Sequence, residues 1–365
     1  MKIGSVDLES PFVVAPMAGM TDTAFRRLVK RRGGCGLVVS EMVSSEGLVR
    51  GIGRTLEYAE YTEEERPVSI QVFGGDPAKM AEAARIVEGM GANIVDVNMG
   101  CPVPKISKHN AGCSLMREPG HAASIIREMT RAVRIPVTAK MRKGWDDGEA
   151  NAPELARRLE DAGAAAVTIH GRTAKQSYSG TADWDLVAEV ASALTIPVFG
   201  SGDCVEPEDI VRRMRQGVSG VFVGRGVLRN PWILAQARDL LAGRPKREIP
   251  LEERGRFLLE YVSLLLNEGL DEADGFRHQA PMQRGGPMAP PQAPGAPARG
   301  REKWVINKLR ALCAWYTKGH VGGAELRTRV NQAQSIAELR ATIEDAFLAT
   351  PAGPAVALAG APGRH

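Results

Sequence analysis

Over about the first 230 residues one pattern recurs: a short β-branched apolar run, a Gly-rich or polar break, then a longer segment with apolar positions at helical spacing. The runs fall at 12–15, 37–41, 68–72, 94–97, 137–140, 166–170, 198–200 and 220–223. Near-continuous apolar stretches this short predict parallel strands covered on both faces. Between them, 77–90, 122–133 and 152–162 carry helical periodicity. Asp76-Pro77 and Glu206-Pro207 supply helix starts with Pro in the first turn. Eight strand–helix alternations predict an α/β fold, a (β/α)8 TIM barrel, with an open doubly wound sheet as the alternative. After about residue 230 the strand pattern stops, and 251–266, 303–318 and 324–347 read as amphipathic helices. The expected organisation is a barrel over 1–240 and a smaller all-helical domain over 241–350. A Pro/Gly-rich insertion at 275–300, with six prolines and five glycines, is expected to be disordered, and 351–365 to be a flexible tail.

Composition adds exclusions. With 365 residues, 44% hydrophobic and 25% charged, the chain has the make-up of a globular protein. Its apolar runs are far shorter than the roughly 20 residues a membrane span needs, and no signal-peptide pattern opens it. Five scattered cysteines (Cys35, Cys101, Cys113, Cys204, Cys313) without a CxxC pair argue against a disulfide framework and a zinc site, so no metal and a reducing cytoplasm are expected. The net charge of +4 is unevenly spread: 275–329 holds ten lysines and arginines against Glu302 and Glu325 alone. Such a block fits a surface for a polyanion.

In a TIM barrel the chemistry collects at the C-terminal strand ends. Here those ends read Pro16-Met17-Ala18-Gly19, Glu41, Gln71, Asn98 with Cys101, Lys140 with Arg142, His170 with Arg172, Gly200-Ser201-Gly202, and Gly224-Arg225-Gly226. The last two stand on strands seven and eight, where glycine lets backbone N–H groups approach a phosphate and Arg225 can add a charge-assisted contact. Gln71 and Lys140 suit a flat heteroaromatic ring, Lys140 placing positive charge beside an anionic reduced form. Cys101 lies just beyond strand four, in the mouth, where a thiol is accessible for chemistry. The other four cysteines read as structural.

PMAGMTD (16–22), QVFGGDP (71–77), DVNMGCPVPKISKHNAG (96–112), KMRKGW (140–145), HGRTAKQSYSGTADW (170–184), GSGD (200–203) and GRGVLRNPW (224–232) resemble the tRNA-dihydrouridine synthase family, closest to its bacterial DusB-like branch. KLRALCAWYTKG (308–319) resembles that family's helical RNA-binding domain. The resemblance implies an FMN enzyme, an NADPH (or NADH) oxidoreductase, that reduces a tRNA uridine to 5,6-dihydrouridine. Hydride would go from reduced FMN to C6 while Cys101 protonates C5. It implies FMN contacts from Pro16, Met17, Ala18, Gln71, Lys140, His170, Gly200, Ser201, Gly202, Gly224 and Arg225, with Asn98 and Arg172 holding the uracil edge. The basic helical domain, Lys308 and Arg310 in particular, would dock tRNA, and the protein would act as a monomer. Ser201 replaces the family's usual Asn, Cys113 adds a second thiol to the catalytic loop, and the 275–300 insertion interrupts the helical domain. Competing readings are an FMN barrel acting on a free pyrimidine and a non-catalytic tRNA-binding factor, which would need neither Cys101 nor Lys140.

Overall fold

The computed structural model describes residues 1–107, 110–267, 273–280 and 300–348. Eight strands close a barrel: β1 (Phe12–Val14), β2 (Leu37–Val39), β3 (Val68–Phe73), β4 (Ile94–Met99), β5 (Val137–Arg142), β6 (Ala166–His170), β7 (Val198–Ser201) and β8 (Gly220–Val223). Each pairs in parallel with its sequence neighbours, and β8 pairs with β1. The order separates the barrel from the doubly wound alternative. β4 and β5 run two residues further than their apolar runs, so Asn98 and Lys140 are cross-strand partners inside the sheet.

The strands alternate more sharply than their apolar character suggests. Val68, Ile70, Val95, Val97, Val137, Ala139, Met141, Val167 and Ile169 face the helical layer and join the main core. The opposite face of β3 to β7 carries Ser69, Gln71, Asp96, Asn98, Thr138, Lys140, Thr168, His170 and Ser201, a polar column inside the barrel. Below it, Val13, Leu37, Val39, Ile94, Phe199 and Phe222 form an apolar plug, sealed by Ile3 and Leu8 of an N-terminal hairpin. The barrel is thus greasy at its base and polar at its mouth.

The outer helices begin where the sequence signals them. In α1 (Thr23–Arg32) the Asp22 side chain accepts from the Phe25 amide. In α2 (Pro77–Gly89) Asp76 accepts from Ala78 and Lys79, and Pro77 stands in the first turn. The C-terminal region is helical, with α3 (Leu251–Leu266), α4 (Arg301–Tyr316), α5 (Gly323–Gln332) and α6 (Ile336–Phe347). It is welded to the barrel rather than tethered. Phe25 of α1 meets Phe257 and Tyr261 edge-on, and Arg31 and Arg32 both pair with Glu260. Within the segment read as a disordered insertion, Arg277–His278 form a short antiparallel pair with Tyr61–Thr62. His278 stacks on the Tyr61 ring, so this end of the segment is anchored to the barrel. Residues 281–299 of that segment, and the tail at 351–365, lie outside the described residues.

Candidate active site

At the C-terminal mouth lies a cavity of about 630 Å³, a usual size for a cofactor or substrate pocket. It gathers Pro16, Met17, Ala18, Gln71, Asn98, Cys101, Lys140, His170, Ser201, Gly202, Gly224 and Arg225 from strands and loops scattered over more than 200 residues of chain. A larger cleft of about 950 Å³ opens beside it, between α1 and α4, lined largely by charged side chains and without a thiol.

Three titratable groups face one another in the polar column. The Asp96 carboxyl is pushed up to about 6, chiefly by burial, against hydrogen bonds from Thr138 and Gln71. Burial, with help from Arg142, lowers Lys140 to about 8. His170 is lowered to about 2 by burial and then by Lys140, Arg142, Arg172 and Arg225, so it is neutral at working pH. Its Nδ1 accepts from the Arg172 amide at 3.2 Å, which puts the ring proton on Nε2 as a donor. Asp96 receives Gln71 Nε2 at 2.7 Å and Thr138 Oγ1 at 2.6 Å. Asn98 Nδ2 donates to Gln71 Oε1 at 2.7 Å.

Cys101 is half-buried on the β4 loop. The loop is held from both sides. Asn98 Oδ1 accepts from the Gly100 and Cys101 amides at 3.2 and 2.9 Å, and Arg142 Nε donates to the Gly100 carbonyl at 2.8 Å. Arg142 also donates to the Thr173 and Ser177 carbonyls, so one guanidinium ties the Cys101 loop to the β6 loop. The other four cysteines are buried, and burial raises Cys113 to about 11, which suits the structural role read for it.

The GSGD run divides its work. Gly200 is not a wall of the cavity. A Cβ there would lie 2.1 Å from the Trp184 ring, so this glycine makes room for the outer helix layer, which corrects its reading as a cofactor contact. Gly202 has φ +123° and accepts the Trp184 indole N–H on its carbonyl. Asp203 grips Arg172 Nη2 with both oxygens, at 2.7 and 2.9 Å. Arg172 is buried, donates also to the Ser179 and Gly180 carbonyls, and is not among the cavity walls. Its reading as a uracil contact is therefore corrected. Its Nη1 is buried without a partner, 3.8 Å from where a Gly202 Cβ would stand and on the same side as the His170 ring.

The basic surface is also redrawn. Lys308 is not free: its Nζ lies 2.9 Å from Asp22 Oδ2, 3.8 Å from Glu41 Oε1 and 2.9 Å from the Gly19 carbonyl. Arg310 donates to Asn307 and to the Ala333 carbonyl at the end of α5. Lys308 is thereby engaged within the fold and largely buried, and Arg310, half-buried, makes contacts of the same kind. Tyr316 is buried and stacked on Phe257. Trp315, by contrast, reaches the cavity from the helical domain, with the exposed Lys318 ammonium 4.0 Å from its ring centroid. Tyr178, largely exposed on the β6 loop, forms another part of the rim beneath Arg225. Sequence reasoning assigned no role to Tyr178, Asp203 or Asp96. Among the described residues no cluster of His, Cys, Asp or Glu could hold a metal ion, and no helix is long and apolar enough to cross a membrane.

A closed parallel barrel with a cavity at its C-terminal strand ends makes this a TIM-barrel protein with the usual placement of an enzyme pocket. The family model described as dihydrouridine synthase (Dus) matches residues 13–283, and the chain belongs to that family. A Rhodobacter capsulatus protein named probable tRNA-dihydrouridine synthase is 44% identical over 73% of this chain and 83% of its own. A Xanthomonas campestris protein named tRNA-dihydrouridine synthase B is 35% identical over 97% of each chain, in line with the expected branch. Among solved structures, TcOYE with pHBA aligns with a TM-score of 0.50 at 12% identity, covering 69% of this chain and 94% of that one. The 2-naphthoyl-CoA reductase complex gives 0.50 at 14% identity, over 67% of this chain and 52% of that one. At these identities the likeness is one of fold.

Proposed function

We propose that this chain is an FMN-dependent tRNA-dihydrouridine synthase, reducing the C5–C6 bond of a tRNA uridine with electrons from NADPH or NADH. The observation that carries the reading is the meeting, in one cavity, of the half-buried thiol of Cys101 with Lys140, neutral His170, Arg225 and the glycines Gly202 and Gly224. The names of the relatives support tRNA uridine as the substrate.

The residues present fit FMN. Arg225 stands among the cavity walls with its guanidinium over the Tyr178 ring, a cation placed to meet a phosphate. A Cβ at Gly224 would project toward Met17, into the space the ligand would use. Ser201, Gly202, Gly224 and Arg225 would hold the phosphate end. Pro16, Met17, Ala18, Gln71, Lys140 and His170 would enclose the ring. Reduced FMN held there would supply the hydride that C6 of the uracil receives.

The protein does the rest. Lys140 places its positive charge where negative charge develops on the ring. His170 donates from Nε2 as a neutral group. Asn98 and the Cys101 loop bound the uracil, and the Cys101 thiol delivers its proton to C5 as general acid. A uridine must leave its stack to reach this depth. Trp315 and Tyr178 at the rim offer faces for it or its neighbours, and exposed Lys303 and Lys318 offer phosphate contacts. The presence of Trp315 from the helical domain in the cavity wall favours a macromolecular substrate over a free pyrimidine. The test is anaerobic: reduce the purified protein with NADPH and follow flavin absorbance on adding unmodified tRNA. Rapid tRNA-dependent reoxidation is expected. A bound flavin indifferent to tRNA, or a protein that binds no flavin, would overturn the reading.

A further inference from the structure

A chain of polar side chains runs from the middle of the barrel to the β4 loop, and its hydrogen bonds have a direction. Asp96 is buried on the inward face of β4, opposite Gln71 in the β3 register. It accepts from Thr138 Oγ1 at 2.6 Å and from Gln71 Nε2 at 2.7 Å. An ionised carboxylate can only accept, so Gln71 must turn its NH2 toward it and its carbonyl oxygen away. That oxygen accepts Asn98 Nδ2 at 2.7 Å. Asn98 is thereby obliged to point its own carbonyl oxygen outward, where it accepts the Gly100 amide at 3.2 Å and the Cys101 amide at 2.9 Å.

We infer that Asp96 is a positioning residue for Cys101, acting through Gln71 and Asn98 to fix both amide orientations and so to hold the turn that carries the thiol. The inference rests on the reading of Cys101 as the proton donor. Two amides in series can point either way, and each alternative satisfies the link between them. Both ends bias the choice: the backbone N–H groups of the turn only donate, and the carboxylate at the inner end only accepts, so its charge locks the order from inside the barrel. With the order reversed, an Asn98 NH2 would face two backbone N–H groups and the Cys101 turn would lose both of its hydrogen bonds. No neutral group at the Asp96 position would forbid that state so strongly, because hydrogen bonds to charged groups are the stronger class.

The polar partners of Asp96 explain why a carboxyl is tolerated at so buried a position. Gln71 and Thr138 satisfy it, and Lys140 carries the opposite charge nearby. Sequence alone hides this role, since Asp96 lies within the apolar run that marks β4.

Amide hydrogen exchange in the full chain at pH 7.5, without tRNA, tests the inference. Asp96→Asn preserves shape but supplies a donor, so the reversed order becomes accessible. Exchange at Gly100 and Cys101 is expected to accelerate about tenfold or more. The Val95 amide, next to Asp96 in β4 and donating to the Pro136 carbonyl just before β5, should exchange at the wild-type rate. Thr138→Val removes a bond to Asp96 but leaves its charge, and exchange at Gly100 and Cys101 is expected to stay within about threefold of wild type. In assays of dihydrouridine formation, Asp96→Asn should lower kcat with little change in KM for tRNA. Unchanged exchange at Gly100 and Cys101 in Asp96→Asn would overturn the inference. So would acceleration shared equally by Val95, which would make Asp96 a residue of barrel stability alone. Failure of the functional reading is seen separately, as absence of dihydrouridine from the wild-type reaction.

Discussion

Lys308 of the helical domain places its ammonium 2.9 Å from the Asp22 carboxylate at the edge of the barrel mouth. The same ammonium donates to the Gly19 carbonyl, and Glu41 accepts the Gly19 amide from the other side at 2.6 Å. The 16–22 loop, which supplies Pro16, Met17 and Ala18 to the cavity, is therefore pinned between the first barrel loops and α4. Burial would lower the pKa of Lys308, but Asp22 and Glu41 outweigh it and the net direction is upward.

Removing this cation leaves two largely buried carboxylates facing each other. Lys308→Met is expected to destabilise the protein by about 3 kcal/mol, read as a fall in the denaturant midpoint, and to weaken flavin retention. The salt dependence of tRNA binding should keep its slope, because Lys308 is not available to phosphates. A variant of wild-type stability with a shallower salt slope would contradict this assignment.

Gly112 is at φ +61°, and a Cβ there would lie 2.7 Å from the Cys101 carbonyl oxygen. Gly112→Ala combines a left-handed backbone, costing about 1–2 kcal/mol for a side chain, with displacement of the catalytic turn. Dihydrouridine formation is expected to fall at least about tenfold while the thermal midpoint moves by only a few degrees. Wild-type turnover in this variant would show that the turn has no defined geometry to lose.

Lys140 makes the stability of the flavin-free protein depend on pH. Its folded pKa of about 8 lies below its ordinary value. Between that pH and about 10.4 the unfolded state binds more protons, so the contribution of Lys140 to stability rises with pH across the window. Below pH 8 its destabilising effect is complete. Lys140→Met should therefore raise the thermal midpoint at pH 7 and raise it progressively less toward pH 10. A gain that does not shrink with pH, or no gain, would contradict the assignment. Loss of activity should accompany the gain, as expected where a buried charge is kept for function.

The barrel was legible because eight β-branched runs alternate with helical segments, and every run became a strand. The cavity was legible because strand ends carry chemistry in this architecture, and Cys101, Lys140, His170, Ser201 and Gly224 all reach it. What the sequence hid follows from periodicity. Asp96 and Thr138 sit inside runs that read as apolar, yet period-two alternation turns them into the barrel, so their role depends on register with neighbouring strands. Gly200 and Gly202 look equivalent in GSGD. Their surroundings separate them: a Cβ at Gly200 would meet the Trp184 ring and one at Gly202 would meet Ala182, and of the two Gly202 borders the cavity. Lys308 and Arg310 looked like free charge because their partners, Asp22, Glu41 and the Ala333 carbonyl, are distant in sequence or belong to the backbone.

The most direct measurement is the dihydrouridine content of unmodified tRNA after incubation with NADPH and either the wild-type protein or Cys101→Ala. Wild type is expected to form dihydrouridine. Cys101→Ala should bind flavin and tRNA normally yet form it roughly 100-fold more slowly or worse, the usual scale for loss of a general acid. Undiminished product from Cys101→Ala would contradict the proton-donor role, and no product from wild type would contradict the proposed function itself.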